Sequence, residues 1–264
     1  MKIIKNNNWD GVLIPPILYK YRDWDNSYHK TILTNNKLYF ASPLDFEDQN
    51  DCRPRVKYPE TQDEIFAYIL KTHYICSNKS FKNYDEYRLC CKKVFKTSPL
   101  LNPMERDSIL RKYHEDYMNA HGVLSVTENA NNDYLWKTYA NNHSGVCVGF
   151  DTNVLRQFII GGAPITYYKE LPTIDFMNDC NTTKIQKQIW SKSDKFKEEQ
   201  EYRLIKIWPP DNHVITQTDR CITFPNEAVL EIILGKNMKE ENKQEVRNIV
   251  KNKFVNARII EQKK

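Results

Sequence analysis

The stretch KEEQEYRLIKIW, residues 197–208, places three acidic side chains directly before an alternating run that is typical of a half-buried strand. Acidic residues are poor strand formers, and neighbouring carboxylates repel one another. Residues two apart in a strand point to the same face, so Glu199 and Glu201 are expected to share one side of the strand's mouth. Arg203 and Lys206 supply positive charge nearby.

Two interpretations of these acids follow from the residues. In the first, the repulsion raises the pKa of one carboxyl group, which can then hold or donate a proton in a nucleotide-processing site. In the second, KFKEEQE is the solvated, charged last turn of a Lys-rich helix that spans residues 184–199. The sequence leaves both open.

The run ILYKYR, residues 17–22, reads as a short strand in which aromatic and cationic side chains alternate. Tyr19 and Tyr21 are expected on one face and Lys20 and Arg22 on the other. Cations in a buried or cleft-facing position need an anionic partner, because unpaired charge is costly to bury. The pyrophosphate of a nucleotide would suit them, and so would a structural ion pair with the acids near residue 200.

The run YLWKTYANNHSG, residues 134–145, predicts a helix that begins near Asp133, which is expected to cap it. Trp136, Tyr139 and His143 then fall on one face. Trp and Tyr side chains can stack on nucleobases or on a nicotinamide ring. Such a stripe is also typical of a packed core, the interpretation favoured for Trp136, and His143 would suit the negative end of the helix dipole.

The remaining pattern predicts an α+β fold, because strands and helices do not alternate regularly. A short helix and the strand KLYFASP, residues 37–43, follow the opening strand. Residues 60–120 look helical throughout and include two capping-box sequences, so they are expected to form a three-helix insertion in a single domain of residues 1–264. Further strands are predicted at residues 121–128, 144–151 and 163–170, a hairpin at HVITQT and CITFP, and a strand–helix–strand unit at the end of the chain.

Composition excludes several classes of protein. The chain has only 7 Gly, with no GxGxxG and no GxxxxGK[ST], which argues against the common phosphate-binding loops. The 7 Cys are scattered without zinc-site spacing, so a metal is not expected. The N-terminus lacks a signal-peptide pattern and no run approaches 18 apolar residues, which predicts a cytoplasmic protein with no membrane span. A net charge of +5 is small for a dedicated nucleic-acid binder.

Five segments carry a resemblance to a known family. LYKYR, LYFASPLDFED, VLSVTEN, LWKTYANNHSGVCVGFD and EEQEYRLI occur in this order and resemble a bacterial family of unknown function, over roughly residues 17 to 260. That family is similar to the ADP-ribosyltransferase fold. The resemblance implies a split, mixed or antiparallel sheet core with the helical block as an insertion.

The resemblance also implies roles for individual residues. Glu201 would stabilise an oxocarbenium-like ribose as nicotinamide leaves NAD, and Glu199 would orient the acceptor. The residues expected to bind NAD are those of the opening strand, the following strand and the aromatic stripe: Tyr19, Lys20, Tyr21, Arg22, Tyr39, Ser42, Trp136, Tyr139 and His143. The first motif departs from the family pattern, since Lys20 or Tyr21 stands where a His or Arg is expected.

The function implied is NAD-dependent transfer of ADP-ribose to a macromolecular acceptor, protein or nucleic acid, or hydrolysis of NAD. The resemblance places such a protein among bacterial toxins, toxin–antitoxin systems and phage-defence effectors, with an antitoxin or inhibitor protein as a further partner. The alternative is a non-enzymatic nucleotide- or RNA-binding module, in which the aromatic stripe and the basic residues make the contacts.

Overall fold

The structure, a computed structural model, describes residues 8–9, 12–76, 81–208 and 214–263. In chain order its strands are β1 (Asn8–Trp9), β2 (Val12–Leu13), β3 (Ile17–Arg22), β4 (Lys37–Tyr39), β5 (Val56–Lys57), β6 (His121–Thr127), β7 (Val146–Asp151), β8 (Gly161–Pro164), β9 (Thr166–Tyr168), β10 (Ile174–Asp175), β11 (Ser191–Ser193), β12 (Glu201–Ile207), β13 (Cys221–Thr223), β14 (Val229–Leu234) and β15 (Arg258–Glu261).

The α-helices are α1 (Ser27–Thr34), α2 (Gln62–Cys76), α3 (Tyr84–Lys96), α4 (Pro103–Ala120), α5 (Asp133–Thr138), α6 (Thr152–Leu155), α7 (Asn181–Ile189) and α8 (Glu240–Lys253). Short 3₁₀ turns lie at Pro43–Asp45, Pro99–Leu101, Asp194–Glu199 and Asn226–Ala228. Among the described helices, none combines the length and the apolar character needed to cross a bilayer.

A seven-stranded mixed sheet organises the fold, in the spatial order β15-β14-β7-β3-β6-β12-β8. Adjacent strands in this sheet are antiparallel, except for β14 and β15, which are parallel and are connected by the helix α8. The mixed sheet confirms the predicted α+β class. The main hydrophobic core packs apolar residues of the central strands, among them Leu18, Val148 and Leu204, with α1 and α8.

The sheet is nearly divided in two between β3 and β6. β3 pairs with β7 over six residue pairs, but it meets β6 at the single pair Tyr19–Thr127. The side chain of Lys20 reaches across to the carbonyl oxygen of Ser125 on β6. A gap between two strands of one sheet leaves room for a cavity where side chains from both strands meet.

The three predicted helices of residues 60–120 are present as α2, α3 and α4. The capping box at Thr61 and Glu64 forms as expected: the Glu64 N–H donates to the Thr61 hydroxyl at 3.2 Å, and the Thr61 N–H donates to the Glu64 carboxylate at 3.0 Å. These helices bury a cluster of their own, which includes Ile65, Tyr87 and Leu110.

Four local predictions were wrong. Residues 163–170 contain the end of β8 and the whole of β9, because the chain leaves β12 after the Ile165 N–H bonds to the Glu201 carbonyl oxygen at 2.9 Å and then pairs with β11. The Lys-rich helix ends at Ile189 and is followed by β11, which pairs in parallel with β9.

The predicted hairpin between HVITQT and CITFP is not formed, because β13 pairs with β4. Residues 214–218 form no strand, and His213 lies outside the described residues. Asn132, not Asp133, caps α5, through a bond from the Leu135 N–H.

Gly145 fixes the end of the strand that carries the cations. A Cβ at this position would lie 2.1 Å from the Arg22 carbonyl oxygen, a backbone atom that cannot move without shifting β3. We expect Gly145→Ala to lower the free energy of unfolding by about 1–3 kcal/mol, as overpacking does elsewhere. Urea unfolding measures this, with Gly161→Ala as the control.

At Gly161 an added Cβ would meet the mobile end of the Ile205 side chain at 3.3 Å, so a smaller loss is expected there. Equal stability of the two variants would show that the close approach of Gly145 to β3 is not a constraint on the fold.

Candidate functional site

A cavity of about 170 Å³ opens where β3 and β6 separate. β3 contributes the whole run from Tyr19 to Arg22, and Ser125 and Thr127 of β6 form part of the wall. On the other side of β6, β12 and the turn before it contribute Glu201 and Glu199. The structure therefore brings the cations of the opening strand and the acids of residues 199–201 into one cavity.

The two acids do not lie in one strand. A residue with left-handed backbone angles separates them, and both side chains still line the cavity. Glu199 ends the 3₁₀ turn, Gln200 has φ 48° and ψ 48°, and Glu201 begins β12. The Thr127 hydroxyl donates to the Gln200 carbonyl oxygen at 2.9 Å and holds this turn against β6. Glu199 and Glu201 are each 5% exposed, so the interpretation of this segment as a solvated helix end was wrong.

Lys192 lies between the two carboxylates. Its Nζ donates to Glu199 Oε2 at 2.5 Å and to Glu201 Oε2 at 2.9 Å, and Asp51 Oδ2 is 3.5 Å away. The short strand β11 places Lys192 here, which explains why the chain leaves the helical conformation after Ile189. A lysine that bridges the pair removes most of the repulsion that the sequence alone predicted.

Arg203 is completely buried and binds two carboxylates of the same cluster, those of Glu201 and Asp51. Its Nε donates to Glu201 Oε1 at 2.7 Å, and its Nη2 contacts both Asp51 oxygens at 2.8 and 2.7 Å. Its Nη1 donates to the Ile189 carbonyl oxygen at 2.7 Å and to Cys52 Sγ at 3.0 Å. This planar, fully bonded guanidinium fixes the orientation of the Glu201 carboxylate.

The cluster keeps Glu201 ionised. Burial opposes ionisation of Glu201, but the charges of Arg203 and Lys192 outweigh it and lower the pKa to about 2. The prediction that repulsion leaves a proton on one of the pair was therefore wrong for Glu201. Burial also opposes the charge of Lys192, but Glu201, Asp51 and Glu199 reverse this effect and raise the pKa of Lys192. Glu201 thus presents a fixed negative charge to the cavity.

The cations of β3 do not pair with these acids. Lys192 and Arg203 take the carboxylates, and among the described residues no carboxylate lies within ion-pair distance of Lys20 or Arg22. The structural ion pair considered from the sequence is therefore not formed. Burial and the neighbouring Arg22 lower the pKa of Lys20, and burial lowers the pKa of Arg22 to about 10.

The tyrosines of β3 and Tyr139 are held by hydrogen bonds at the edges of the cavity. Tyr19 donates its hydroxyl to Glu231 Oε1 at 2.6 Å, and Tyr21 donates to the Asn129 carbonyl oxygen at 2.7 Å. Tyr139 lines the cavity and donates to Glu199 Oε1 at 3.0 Å. The phenol of Tyr139 therefore completes the set of groups that orient Glu199.

Trp136 and His143 lie in the core and not in the cavity. Trp136 is fully buried, and the His143 ring stacks on it with 5.6 Å between centroids and 6° between planes. His143 Nε2 is 3.1 Å from Asp133 Oδ1 at the first turn of α5, so the ring does not act at the negative end of the helix dipole. The favoured interpretation of Trp136 as core is confirmed.

Tyr39 and Ser42 also lie outside the cavity. The Tyr39 ring packs edge-on against Tyr28, with 6.1 Å between centroids, and the Ser42 hydroxyl accepts the Leu44 N–H at 3.2 Å to cap the following turn. Tyr39 belongs to β4, which pairs with β13 in a separate two-stranded sheet and not with the strands that line the cavity.

Sequence reasoning missed four residues that build the site: Asp51, Ser125, Thr127 and Lys192. Asp51 lies 152 positions before its partner Arg203, in the acidic stretch DFEDQNDC that reads as a loop. No spacing rule joins such positions. A Lys inside a Lys-rich segment likewise carries no local sign that it will be buried. Among the described residues no cluster of His, Cys, Asp and Glu is arranged to hold a metal ion.

Residues 135–204 match a family of proteins of unknown function, DUF2971. The matched segment runs from α5 to β12 and contains Glu199, Glu201, Lys192 and Arg203. It covers about a quarter of the 264-residue chain and agrees with the resemblance to a family of unknown function. No curated protein and no solved structure matches the chain. The likeness to ADP-ribosyltransferases stays a prediction.

The buried cluster predicts a strong dependence of folding on Arg203. Arg203→Met leaves Asp51 and Glu201 with one fewer cation, and breaking a buried ion pair on one side costs about 3–5 kcal/mol. We therefore expect a loss of this size in the free energy of unfolding, measured by urea denaturation.

Arg247 provides a matched control, since it pairs with Glu240 and Glu261 at the exposed surface. Arg247→Met should change stability by less than about 1 kcal/mol. A loss for Arg203→Met no larger than that for Arg247→Met would contradict the anchoring role of Arg203.

Proposed function

We propose that the cavity binds the nicotinamide–ribose end of NAD and cleaves the bond between them, so that ADP-ribose passes to a macromolecular acceptor or to water. The observation that carries this proposal is the position of the Glu201 carboxylate, which Lys192 and Arg203 keep ionised, in the same cavity as Lys20 and Arg22. A carboxylate fixed in this way offsets positive charge that develops on a sugar as its glycosidic bond breaks.

The division of charge within the cavity fits the two ends of such a substrate. Glu201 and Glu199 favour the cationic nicotinamide ribose, while the Arg22 guanidinium, which has no carboxylate of the described residues within ion-pair distance, suits a phosphate group. A volume of about 170 Å³ is small for a whole dinucleotide, since sites that enclose large ligands hold roughly 300–1,000 Å³. The reacting end would enter the cavity and the adenosine end would lie along its open mouth.

Two further parts of the proposal concern the acceptor and the biological setting. In this proposal Glu199 orients the incoming nucleophile, and the hydrogen bonds from Tyr139 and Lys192 that hold its carboxylate support that role. The setting among bacterial toxins, toxin–antitoxin systems or phage-defence effectors, with an antitoxin or inhibitor protein as partner, is proposed on the resemblance alone.

The alternative, a non-enzymatic nucleotide- or RNA-binding module, has less support from the geometry. It relied on an aromatic stripe to stack on bases, and Trp136 is fully buried while His143 is 5% exposed. Tyr139 is the exposed member of that stripe, at 44% for the whole residue. A protein that stacks successive bases of a nucleic-acid strand needs several accessible aromatic side chains.

Nicotinamide release from NAD tests the proposal. We expect the wild-type protein to release nicotinamide and Glu201→Gln to be slower by about 100-fold or more, because the amide removes the charge that stabilises the transition state. Chromatography of the reaction with time measures both rates. Thermal unfolding checks that each variant is folded.

Glu245→Gln is the matched control, since Glu245 is also an ion-paired carboxylate but lies outside the cavity, with Lys30 and Trp24. It should keep the wild-type rate. Absence of nicotinamide release by the wild type, together with salt-sensitive RNA binding that is lost in Lys20→Ala or Arg22→Ala, would support the alternative instead.

A further inference from the structure

The proposed reaction needs a group that accepts a proton. When water attacks the ribose carbon, the bond to nicotinamide breaks and its electron pair stays with the nicotinamide ring. A new carbon–oxygen bond forms, and the water oxygen must lose a proton. In the absence of an acceptor molecule the balance is NAD⁺ and water to ADP-ribose, nicotinamide and one proton.

Glu201 is poorly suited to take that proton. Both of its oxygens accept from cations: Oε1 from Arg203 Nε at 2.7 Å, and Oε2 from Lys192 at 2.9 Å and Arg203 Nη2 at 3.1 Å. A carboxylate bonded in this way is a weak base, and efficient proton acceptors have pKa values near the working pH. Its charge is better suited to stabilise the ribose than to accept a proton.

Glu199 is the other carboxylate at the cavity, and each of its oxygens also has a donor. Oε1 accepts from the Tyr139 hydroxyl at 3.0 Å, and Oε2 accepts from Lys192 at 2.5 Å. The hydroxyl of Thr127 is directed to the Gln200 carbonyl oxygen at 2.9 Å. The Glu199 oxygens and the Thr127 hydroxyl are therefore all engaged in hydrogen bonds.

Lys20 differs from all of them. Lys20 lines the cavity, and its Nζ donates to the Ser125 carbonyl oxygen. That bond uses an N–H of the amine and leaves the nitrogen lone pair of the neutral form unengaged. No carboxylate of the described residues lies within ion-pair distance of Lys20, so no salt bridge holds it in the charged form.

We propose that the amine of Lys20 accepts the proton of the nucleophile that attacks the ribose, while Glu201 stabilises the sugar and Arg22 contacts phosphate. The inference rests on the proposed function. The neutral amine becomes an ammonium group as the carbon–oxygen bond forms, and then returns the proton to solvent. This assignment gives Lys20 a catalytic role in place of the NAD-holding role implied by the resemblance.

The groups that face Lys20 set its titration. On its own strand are Arg22, Tyr19 and Tyr21; Glu201 comes from β12, Glu199 from the preceding turn, Lys192 from β11 and Tyr139 from the segment after α5. Burial is the largest effect on the pKa of Lys20, followed by repulsion from Arg22, and both lower it, while Glu201 and Glu199 raise it. The net shift is downward, which makes the neutral amine accessible at a lower pH than for a surface lysine.

The experiment follows NAD hydrolysis by wild type, Lys20→Arg, Lys20→Ala and Glu199→Gln across pH 5 to 10. Arginine keeps the positive charge but cannot accept a proton in this range. We expect Lys20→Arg to lower kcat by about 10² to 10⁴-fold with a much smaller change in KM, the range that general base catalysis contributes. Lys30→Arg, at a surface ion pair with Glu245, should leave kcat unchanged.

Lys20→Ala should regain activity when methylamine or ethylamine is added, because a small amine can occupy the space left by the side chain. The recovered rate should rise with the fraction of neutral amine. In wild type kcat should rise with pH through one ionisation, and Glu199→Gln should keep that pH dependence. Rescue by added amine would not be produced by a purely structural role of Lys20.

Three results would overturn the assignment. One is a Lys20→Arg variant with wild-type kcat; another is a wild-type profile with no ionisation on its acidic side, which can be measured even if the Lys20 variants fail to fold. The third is loss of the pH dependence in Glu199→Gln alone. In each of these cases wild-type NAD hydrolysis survives, whereas failure of the proposed function itself appears as no hydrolysis by wild type.

Discussion

The buried guanidinium of Arg203 is the interaction on which the site depends. A charge with no exposed surface is stable only when its hydrogen bonds are satisfied, and Arg203 meets this condition through Asp51, Glu201 and the Ile189 carbonyl oxygen. These three partners belong to separate segments of the chain. Their shared bond to one planar group therefore fixes the loop before the helical insertion, the end of α7 and the start of β12 relative to one another.

The same constraint explains the charge distribution in the cavity. Asp51, Glu199 and Glu201 carry three negative charges, and Lys192 and Arg203 carry two positive charges within the cluster. Each of the three acids has an ion-pair partner within the cluster, and none is paired with Lys20 or Arg22. Lys20 and Arg22 are consequently left facing the space between β3 and β6, where the sheet is held by a single residue pair. An incomplete sheet and two basic side chains without a carboxylate partner among the described residues thus occur at the same place.

Much of the fold follows from local patterns in the sequence. The strand ILYKYR, the capping box at Thr61 and the terminal strand–helix–strand unit were predicted correctly, because each depends on neighbouring residues alone. The break of the Lys-rich helix after Ile189 was not predicted, since it depends on Lys192 reaching acids at residues 199 and 201. Tertiary contacts override helix propensity at such positions. The incorrectly predicted helix therefore lies where Lys192 enters the site.

The site was predictable only in part for the same reason. The acids of residues 199–201 and the cations of β3 could be chosen as unusual local patterns, and the structure brings them together. Asp51 and Ser125 could not be chosen, because an acid in a polar loop and a serine in a strand look ordinary in sequence. Their roles arise from contacts across more than 100 positions in the chain.

A crystal structure of the wild-type protein with carba-NAD would show whether NAD enters the cavity between β3 and β6. This analogue has a methylene group in place of the ribose ring oxygen, so an oxocarbenium ion cannot form and the ligand stays intact. We expect the nicotinamide ribose between β3 and β6, with a ribose hydroxyl on the Glu201 carboxylate and a phosphate oxygen at Arg22. A ligand bound elsewhere, or a cavity that stays empty while Glu201 keeps its bonds to Arg203 and Lys192, would contradict this expectation.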